Sequence, residues 1–269
     1  MVKVDNINIG DNKNIVLIAG PCVIESKKLT LDVAKKIKKI ADDLKIPFVF
    51  KCSFDKANRM SLDSYRGPGL KKGLEILKEV KERTGLLLLS DVHCISQVES
   101  VAKVLDIIQI PAFLCRQTDL LIEVAKTQKA INIKKGQFMS PWDFGHILKK
   151  IEAQGNKKII ITERGVSFGY NNLVADFRAL GVLKSFGYPV VFDATHSVQL
   201  PGGKCGSSGG QREFIPGLAR AAVAFGCDGI FLEVHPNPEN ALCDGPNSLA
   251  LNKLSNLLKT LSAIFKVVK

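Results

Sequence analysis

The sequence PVVFDATHSVQLPGGKCGSSGGQREFIPGLARAAVAFGCDGIFLEVHPNPENALCDGPNSL, residues 189–249, contains two short apolar segments with reactive side chains at their ends. Asp193 and His196 follow the first segment, and Glu233 stands near the end of the second. A glycine-rich loop, expected to cover the site as a flexible lid, and a predicted helix lie between them. Asp244 follows in a loop rich in proline and asparagine. This order is typical of the active-site end of a (β/α) barrel or of an open α/β sheet.

The remainder of the chain repeats this arrangement. Eight short apolar runs alternate with amphipathic segments, and such runs are typical of parallel strands buried on both faces. Eight alternations in 269 residues predict an α/β fold of the (β/α)8 TIM barrel type. A doubly wound sheet is the alternative, but the strand count favours the barrel and no G-x-G-x-x-G motif follows the first run. The predicted strands are residues 15–19, 48–50, 86–89, 107–110, 131–133, 159–162, 190–192 and 230–234.

Helices are predicted between these strands, and the N-terminus is predicted to form a short β-hairpin, because residues 2–9 alternate loosely between apolar and polar side chains. No linker or low-complexity segment divides the chain, so residues 1–269 are expected to form a single barrel domain. The predicted helices cover residues 33–44, 74–81, 98–104, 119–125, 144–151, 173–183, 215–225 and 248–267.

The formal net charge of +12 suggests nucleic-acid binding as one function to consider. The lysines are spread over predicted helices, however, and no arginine-rich block or alternation of aromatic and basic residues occurs. We therefore expect no nucleic-acid partner. A basic surface would instead raise the local concentration of anionic small substrates.

The N-terminal residues include charges and asparagines where a signal peptide needs an apolar core. No apolar run approaches the roughly 20 residues of a membrane span. The seven cysteines are odd in number and form no C-x-x-C motif, so they are expected to be reduced thiols. These features predict a cytoplasmic protein with no membrane partner.

Cationic side chains stand at the predicted strand ends and in the loops that follow. Several like charges at one end of a barrel would repel one another unless an anion such as phosphate or carboxylate neutralised them. Isolated surface charge is the alternative for any single residue. A Schiff base on one of the lysines is a further alternative, but the neighbouring cations favour phosphate binding. The cations are Lys51, Lys56, Arg59, Arg116, Lys134 and Arg164.

A second group of strand-end residues combines a thiol, an imidazole and two carboxylates, from Cys22, His196, Glu233 and Asp244. They follow the first, seventh and eighth predicted strands, which become neighbours when a barrel closes. Such a mixed shell suits a divalent metal such as Zn²⁺, Fe²⁺, Mn²⁺ or Co²⁺. The alternatives are a small buried thiol for Cys22 and a hydrogen-bonded polar residue at the barrel mouth for His196.

Long motifs, in order along nearly the whole chain, resemble the 3-deoxy-D-manno-octulosonate 8-phosphate synthase family of the phosphoenolpyruvate-condensing (β/α)8 group. The run KANR at residues 56–59 distinguishes this family from the heptulosonate synthases, which have a Lys-Pro-Arg-Thr type run there. The motifs are IAGPCVIES (18–26), FKCSFDKANR (50–59), LLSDVH (88–93), IQIPAFLCRQTDLL (108–121), NIKKGQF (132–138), TERGVSFGYNNLVADFRAL (162–180), FDATHSVQLPGG (192–203), GGQREFIPGLARAA (209–222) and FLEVHPNPENALCDGPNSL (231–249).

The resemblance implies condensation of phosphoenolpyruvate with arabinose 5-phosphate and water, a step in lipopolysaccharide inner-core sugar biosynthesis, by a homotetramer. It also implies roles for residues at the matching positions. The implied ligands of phosphoenolpyruvate are Lys51, Lys56, Lys134 and Arg164; those of the pentose phosphate are Asn58, Arg59 and, from a neighbouring subunit, Arg116; Asp91 and Gln109 line the pocket.

The family has a metal-dependent branch, with Cys after Ala-Gly-Pro, and a metal-independent branch, with Asn at that position. Cys22 therefore implies the metal-dependent branch, in which His196, Glu233 and Asp244 complete the ligand set. The implied catalytic residues are Cys22, Lys56, His196 and Asp244.

Met60 departs from the family, which usually has a small hydroxyl residue after the KANR arginine. A phosphate contact from this position is therefore expected to be lost or to move to Ser61.

Two other functions stay open. One is a related condensing synthase of the heptulosonate or sialic-acid type, against which the KANR run argues. The other is a basic nucleic-acid-binding protein, against which the strand-end placement of the cations argues.

Overall fold

The structure, a computed structural model, describes residues 1–204 and 207–269 of the chain. Eight parallel strands pair in sequence order, and the eighth pairs with both the first and the seventh, so the sheet closes into a barrel. The predicted (β/α)8 fold is confirmed. The barrel strands are β1 (Val16–Gly20), β2 (Phe48–Lys51), β3 (Leu87–Asp91), β4 (Ile107–Ile110), β5 (Ala130–Lys134), β6 (Ile159–Glu163), β7 (Val190–Asp193) and β8 (Gly229–His235).

A helix follows each strand and packs on the outside of the barrel. Helix α1 begins after Ser26, whose hydroxyl accepts the backbone N–H of Leu29 at 3.2 Å and caps the helix. No helix in residues 1–204 and 207–269 combines the length and the apolar character needed to cross a bilayer. The helices are α1 (Lys27–Asp43), α2 (Leu70–Thr84), α3 (Ile95–Ala102), α4 (Thr118–Lys126), α5 (Phe144–Glu152), α6 (Arg178–Lys184), α7 (Ile215–Phe225) and α8 (Leu251–Val268).

Two predicted helices, residues 173–183 and 248–267, are wrong at their starts. In the second, Leu249–Ala250 pairs parallel with β8, so α8 begins only at Leu251. The helix α6 begins only at Arg178, because Leu173–Val174 pairs antiparallel with Val166–Ser167 in a short hairpin. The apolar residues before Arg178, whose spacing predicted a helix, therefore belong to a strand of this hairpin. Leu173 is buried in this hairpin while Val174 is exposed, which is the alternation of a strand.

The apolar strand residues form two separate cores. In β1, Leu17 and Ala19 pack against the helices, whereas Val16 and Ile18 belong to an inner core that contains no residue of α1 to α8. This alternation follows from the two-residue period of a strand. Burial of each such aliphatic side chain contributes about 1.5–3 kcal/mol relative to its exposure, so both cores stabilise the closed barrel.

The predicted N-terminal hairpin is confirmed and closes one end of the barrel. Its strands, Val2–Val4 and Ile7–Ile9, pair antiparallel, with Lys3 exposed between buried neighbours. The four apolar side chains of the hairpin join the inner core beside the first residues of the barrel strands. The hairpin thus covers the amino-terminal end, and the carboxyl end is left for a site.

The described parts of the glycine-rich segment after β7, predicted from sequence to be a lid, form a hairpin. Strand Gln199–Lys204 pairs antiparallel with strand Ser207–Gly210, with an irregularity between Leu200 and Lys204. Pro201 and Ser208 of this hairpin line the cavity at the carboxyl end of the barrel. The predicted free cysteine Cys205 lies outside the described residues.

Candidate active site

A cavity of about 350 Å³ opens at the carboxyl ends of the barrel strands. This volume suits a small-molecule ligand. Two predicted site residues are not on its wall: Cys22 lies beside the cavity in contact with Asp244, and Arg116 is exposed outside it. The predicted residues that line the cavity are Lys51, Lys56, Asn58, Arg59, Asp91, Gln109, Lys134, Arg164, His196, Glu233 and Asp244.

Five of these eleven side chains reach the cavity because they occupy inward-facing positions on the strands, and the other six lie on the segments that follow the strands. Val49 of β2 lies in the inner core, so Lys51, two residues later, is on the same face. Apolar residues therefore fill the barrel below, and polar residues occupy its mouth. The same two-residue step relates Leu89 to Asp91, Ile107 to Gln109, Ala130 to Asn132, Ile160 to Thr162, Val191 to Asp193 and Phe231 to Glu233.

Two of the predicted anion-binding lysines are paired with buried carboxylates. Lys51 Nζ lies 2.7 Å from Glu233 Oε1, and Lys134 donates to Asp193 while its ammonium lies 3.2 Å from the ring centre of Phe231. Burial lowers the pKa of Lys134 to about 8, although Asp193 opposes this shift. Burial also acts to lower the pKa of Lys51, but Glu233 and other nearby anions outweigh it and raise that pKa. The cavity therefore contains fewer unpaired positive charges than the sequence predicts.

Three other cations keep donors for an anionic ligand. Lys56 lines the cavity and forms no ion pair with residues 1–204 or 207–269. Nη1 of Arg164 and Nε of Arg59 are buried without a hydrogen-bond partner among the same residues. Buried donors without partners are costly, so a phosphate or carboxylate in the cavity would satisfy them at a favourable free energy.

The predicted metal ligands converge on one side of the cavity. Cys22 Sγ lies 3.2 Å from Asp244 Oδ2, and Nε2 of His196 lies 3.6 Å from that oxygen and 3.7 Å from Glu233 Oε1. Oε2 of Glu233 is buried and has no hydrogen-bond partner in the described chain, so it is available to a further group. Within the described residues, the donor atoms that all lie within 4.8 Å of one another are those of Cys22, Cys243 and Asp244, and His196 and Glu233 lie beside this group. Thiol and carboxylate donors of this kind suit a divalent cation.

The turn after β1 places Cys22. A Cβ atom at residue 20 would lie 1.9 Å from the carbonyl oxygen of Lys51, so Gly20 permits the close approach of β1 and β2. Lys51 Nζ also donates to the carbonyl of Cys22 at 3.0 Å. Burial, a hydrogen bond with Cys243 and the charge of Asp244 raise the pKa of the Cys22 thiol well above its usual value. A coordinating cation would reverse this preference, because a metal-bound thiol loses its proton.

Asp193 orients the imidazole of His196. Its Oδ2 lies 2.7 Å from His196 Nδ1, and its Oδ1 accepts the backbone N–H of His196 at 2.8 Å. A carboxylate on Nδ1 fixes the ring and leaves Nε2 facing the cavity, an arrangement common for metal-binding histidines. Burial acts to lower the pKa of His196, but the Asp193 charge outweighs it and raises that pKa.

A buried chain of hydrogen bonds crosses the floor of the cavity from β6 to the loop after β2. Thr162 donates to Asn132 at 2.6 Å, and Asn132 donates to Gln109 at 2.7 Å. Gln109 in turn donates to Asp91, which also accepts from Ser53 at 2.5 Å. Burial acts to raise the pKa of Asp91, but nearby Lys56 and Lys51 hold it well below its usual range. These hydrogen bonds, including the one to the Asp91 carboxylate, keep the side-chain amide of Gln109 in one orientation.

The sequence interpretation of the loop after β2 needs one correction. Met60 is 65% exposed at the cavity and lies close to Gly202, in the hairpin that follows β7. Ser61 does not line the cavity, and its hydroxyl accepts the backbone N–H of Asp63 at 3.3 Å. Ser64 lines the cavity instead, so it is the serine of this loop that is placed to contact a ligand.

Three residues of the site were not assigned a role from sequence. Asp193 orients His196, Cys243 Sγ lies 3.1 Å from Cys22 Sγ, and Gln199 joins Arg164 to Asp244 through hydrogen bonds of 3.0 and 3.2 Å. The signal for Asp193 was its place at the end of β7, and that for Cys243 its place next to Asp244. No sequence pattern distinguishes Gln199, because its place in the site depends on the folding of the hairpin that begins at this residue.

The comparison with protein families covers this whole arrangement. A family model described as the DAHP synthetase I family matches residues 1–269, from the N-terminal hairpin to the end of α8. The chain belongs to the DAHP synthetase I family. The resemblance inferred from the motifs at the strand ends is thereby confirmed at the level of the whole chain.

Relatives of this DAHP synthetase I family chain have a more specific name. A protein of Geobacter metallireducens named 2-dehydro-3-deoxyphosphooctonate aldolase is 60% identical over 268 residues, which are 100% of this chain and 98% of the relative. Proteins of the same name from Geotalea uraniireducens and Geobacter sulfurreducens are 60% and 58% identical over the same shares. The matched region therefore spans the strands and loops that form the cavity.

Proposed function

We propose that this protein condenses phosphoenolpyruvate with D-arabinose 5-phosphate and water to form 3-deoxy-D-manno-octulosonate 8-phosphate and inorganic phosphate. The observation that carries the proposal is the cavity, where cations with unpartnered donors face a cluster of thiol, imidazole and carboxylate atoms. The relatives named 2-dehydro-3-deoxyphosphooctonate aldolase support an eight-carbon product. The family model is described by a different product, so the related heptulosonate reaction is the alternative that the assay must exclude.

The two anionic substrates have separate positive regions in the cavity. Lys56 and Arg164 are the cations best placed for phosphoenolpyruvate, with Lys51 and Lys134 adding charge from the barrel interior. Asn58 and Arg59 stand on the loop after β2 and are assigned to the pentose phosphate, and Ser64 is available on the same loop. Because Lys51 and Lys134 already have carboxylate partners, they stabilise the bound anion less than the unpaired cations do.

The condensation forms a bond between carbon 3 of phosphoenolpyruvate and the aldehyde carbon of the pentose. Water adds to carbon 2, and one of its protons ends on the aldehyde oxygen. The bond from carbon 2 to the phosphate oxygen then breaks, and the second proton passes to the departing phosphate as the keto group forms at carbon 2. The carboxylates on the cavity wall favour positive character at carbon 2. Lys56 and Arg164 stabilise the departing phosphate, whose negative charge rises as the bond breaks.

Cys22, His196, Glu233 and Asp244 would hold a divalent cation such as Zn²⁺, Fe²⁺, Mn²⁺ or Co²⁺. Such an ion, when bound, supplies Lewis-acid polarisation of a carbonyl and a lower pKa for water. The protein's own part is to present a thiol, a ring nitrogen oriented by Asp193 and two carboxylates on one side of the substrate cavity.

The metal proposal predicts that the affinity for a divalent cation depends on Cys22. In Cys22→Asn, removal of the thiol should lower the affinity for Co²⁺ by at least about ten-fold, measured by competition with a chromogenic chelator. Cys227→Ser, which changes a buried thiol away from the cavity, is the control and should bind Co²⁺ as the wild type does. Unchanged Co²⁺ affinity in Cys22→Asn would remove Cys22 from the ligand set.

The reaction is tested by phosphate release from phosphoenolpyruvate with arabinose 5-phosphate, measured with chelator and after Mn²⁺ or Fe²⁺ is restored. Arg164→Gln should reduce kcat/KM for phosphoenolpyruvate by about ten-fold or more, since a charged hydrogen bond to the substrate is lost. Arg220→Gln, on the exposed face of α7, is the matched control. Release only with erythrose 4-phosphate would instead establish the heptulosonate reaction, and release unaffected by chelator would remove the metal from the proposal.

The proposal extends to the assembly and the cellular setting. We propose that residues 1–269 act as one catalytic domain in a homotetramer located in the cytoplasm, and that the product enters lipopolysaccharide sugar synthesis. The exposed position of Arg116 supports a shared site, because this side chain does not reach the cavity of its own chain. Light scattering on the purified protein tests the tetramer, and a monomeric mass would contradict it.

A further inference from the structure

Segment 242–244 carries the thiol of Cys243 and the carboxylate of Asp244 into the site. Residues from the loops after β1 and β2 contact this segment at Leu242. Glu25, in the loop after β1, accepts the backbone N–H of Leu242 through Oε1 at 3.0 Å. Arg59, in the loop after β2, donates to the carbonyl of Leu242 at 3.3 Å and to Cys243 Sγ at 3.1 Å. Of these two residues, Glu25 is the one to which the proposed reaction assigns no role, and Gln199, from the hairpin after β7, donates to Asp244 itself at 3.2 Å.

Glu25 lies beside the end of the neighbouring barrel strand β8, where Nε2 of His235 is buried and has no hydrogen-bond partner among the described residues. His235, at the end of β8, is 5% exposed, and its Nε2 lies 3.4 Å from Glu25 Oε1. Its Nδ1 accepts the backbone N–H of Asn237 at 3.1 Å, so the ring proton is on Nε2 and faces the carboxylate. The hydroxyl of Tyr65 donates to the carbonyl of Ile24 at 2.9 Å and fixes the backbone next to Glu25.

The backbone at Asp244 explains why such contacts are needed. Its φ is +50°, in the left-handed region that residues with a Cβ atom rarely adopt. Downstream, the Asp244 carbonyl accepts the hydroxyl of Ser248 at 2.9 Å and the N–H of Asn247 at 3.1 Å. Upstream, the Glu25 contact with Leu242 joins the backbone of this strained turn to the loop that carries Cys22, in addition to the side-chain contacts of Cys22 itself.

We propose that Glu25 is a positioning residue that holds segment 242–244 against the loop after β1, so that the Asp244 carboxylate faces Cys22 and His196. The role of Asp244 as a metal ligand rests on the proposed function above. Glu25 itself touches neither substrate nor ligand atoms in this proposal. It acts by fixing the backbone two residues before Asp244.

The test compares Glu25→Ala and Glu25→Asp with the wild type in chelator-treated protein. Cys243 is 4% exposed, so its rate of alkylation by iodoacetamide, followed by peptide mass mapping, reports whether the segment has moved. We expect alkylation of Cys243 to be about ten-fold faster in Glu25→Ala and faster also in Glu25→Asp, whose shorter side chain does not reach Leu242. Cys94, which is exposed on the outside of the barrel, is the internal reference and should react at an unchanged rate.

Two further variants separate positioning from general destabilisation. Glu25→Gln keeps an oxygen that accepts the Leu242 N–H, so it should restore the wild-type alkylation rate to within about three-fold. Glu239 is in the same loop as segment 242–244 but forms an exposed ion pair with Arg212 instead of contacting that segment. Glu239→Ala should therefore leave the alkylation rate of Cys243 at the wild-type value.

A second readout is Co²⁺ affinity, which should fall by about 10- to 100-fold in Glu25→Ala, as for other residues that hold metal ligands in place. Wild-type rates of Cys243 alkylation in both Glu25→Ala and Glu25→Asp would overturn the proposal. If the wild type binds no Co²⁺, the metal part of the proposed function fails, while the alkylation rates still decide the role of Glu25.

Discussion

Lys134 is a residue whose charge depends on its surroundings within the ordinary pH range. It is 5% exposed, between Asp193 and the ring of Phe231, and burial lowers its pKa to about 8 in spite of the carboxylate. The ammonium is therefore charged below pH 8 and loses its proton as the pH rises through that value. Because the side chain faces the cavity, its charge contributes to binding an anion only on the acidic side.

This environment predicts that kcat/KM for phosphoenolpyruvate falls as the pH rises through about 8. In Lys134→Arg the guanidinium stays charged, so this fall should move to higher pH even if the absolute rate is lower. The measurement is a pH profile of kcat/KM for both proteins, with Lys126→Arg on the exposed end of α4 as the control. A basic limb at the same pH in Lys134→Arg and wild type would show that another group causes it.

At the level of elements, the N-terminal hairpin contributes stability and not chemistry. Ile9 is fully buried in the inner core, at the end of the barrel opposite the cavity. We expect Ile9→Ala to lower the free energy of unfolding by about 2–5 kcal/mol, because it leaves a cavity among packed side chains. KM for both substrates should not change.

The exposed neighbour Lys3 is the control for this prediction. Lys3→Ala, on the same hairpin, should change the free energy of unfolding by no more than about 0.5 kcal/mol. Denaturant unfolding and steady-state kinetics measure both quantities. A changed KM in Ile9→Ala would mean that the amino-terminal end of the barrel affects the site, contrary to the separation of the two ends described above.

At the scale of the whole molecule, Arg116 joins one chain to another in the proposed tetramer. It follows β4 on the outside of the cavity, three residues after Phe113. Phe113, Phe138 and Trp142 are large apolar side chains that are each more than half exposed in the single chain. Burial of such side chains between chains is a common reason for association. Arg116 would then be positioned at the cavity of a neighbour.

Mixed assemblies test this arrangement. Arg116→Ala and Lys56→Ala should each be nearly inactive alone, but about one quarter of the sites in a randomly reassembled equal mixture would have both residues intact. The measurement is the activity of the mixture compared with the mean of its two parents. A mixture of Lys56→Ala and Arg164→Ala, whose changes lie in the same cavity, should regain nothing. No gain with Arg116→Ala either would place Arg116 outside the catalytic assembly.

The amino-acid sequence was sufficient to predict the eight strands, their order and the polar residues at their ends. These features depend on short-range patterns, since a strand buried on both faces is a short apolar run and its inward face repeats every two residues. Lys51, Gln109 and Glu233 could therefore be assigned to one end of the barrel from their positions along the strands alone. The prediction failed at Leu173, where a helical spacing occurs in a strand, because pairing with Val166–Ser167 outweighs a local pattern.

The pairing of charges was decided by the closed barrel. Lys51 and Glu233 are 182 residues apart, and Lys134 and Asp193 are 59 apart, so no local pattern could show that each cation has a carboxylate partner. The contact of Glu25 with Leu242 spans 217 residues and depends on β8 lying beside β1. Residue types and their positions along a strand follow from local chemistry, whereas their partners follow from the contacts that form when the strands close into a ring.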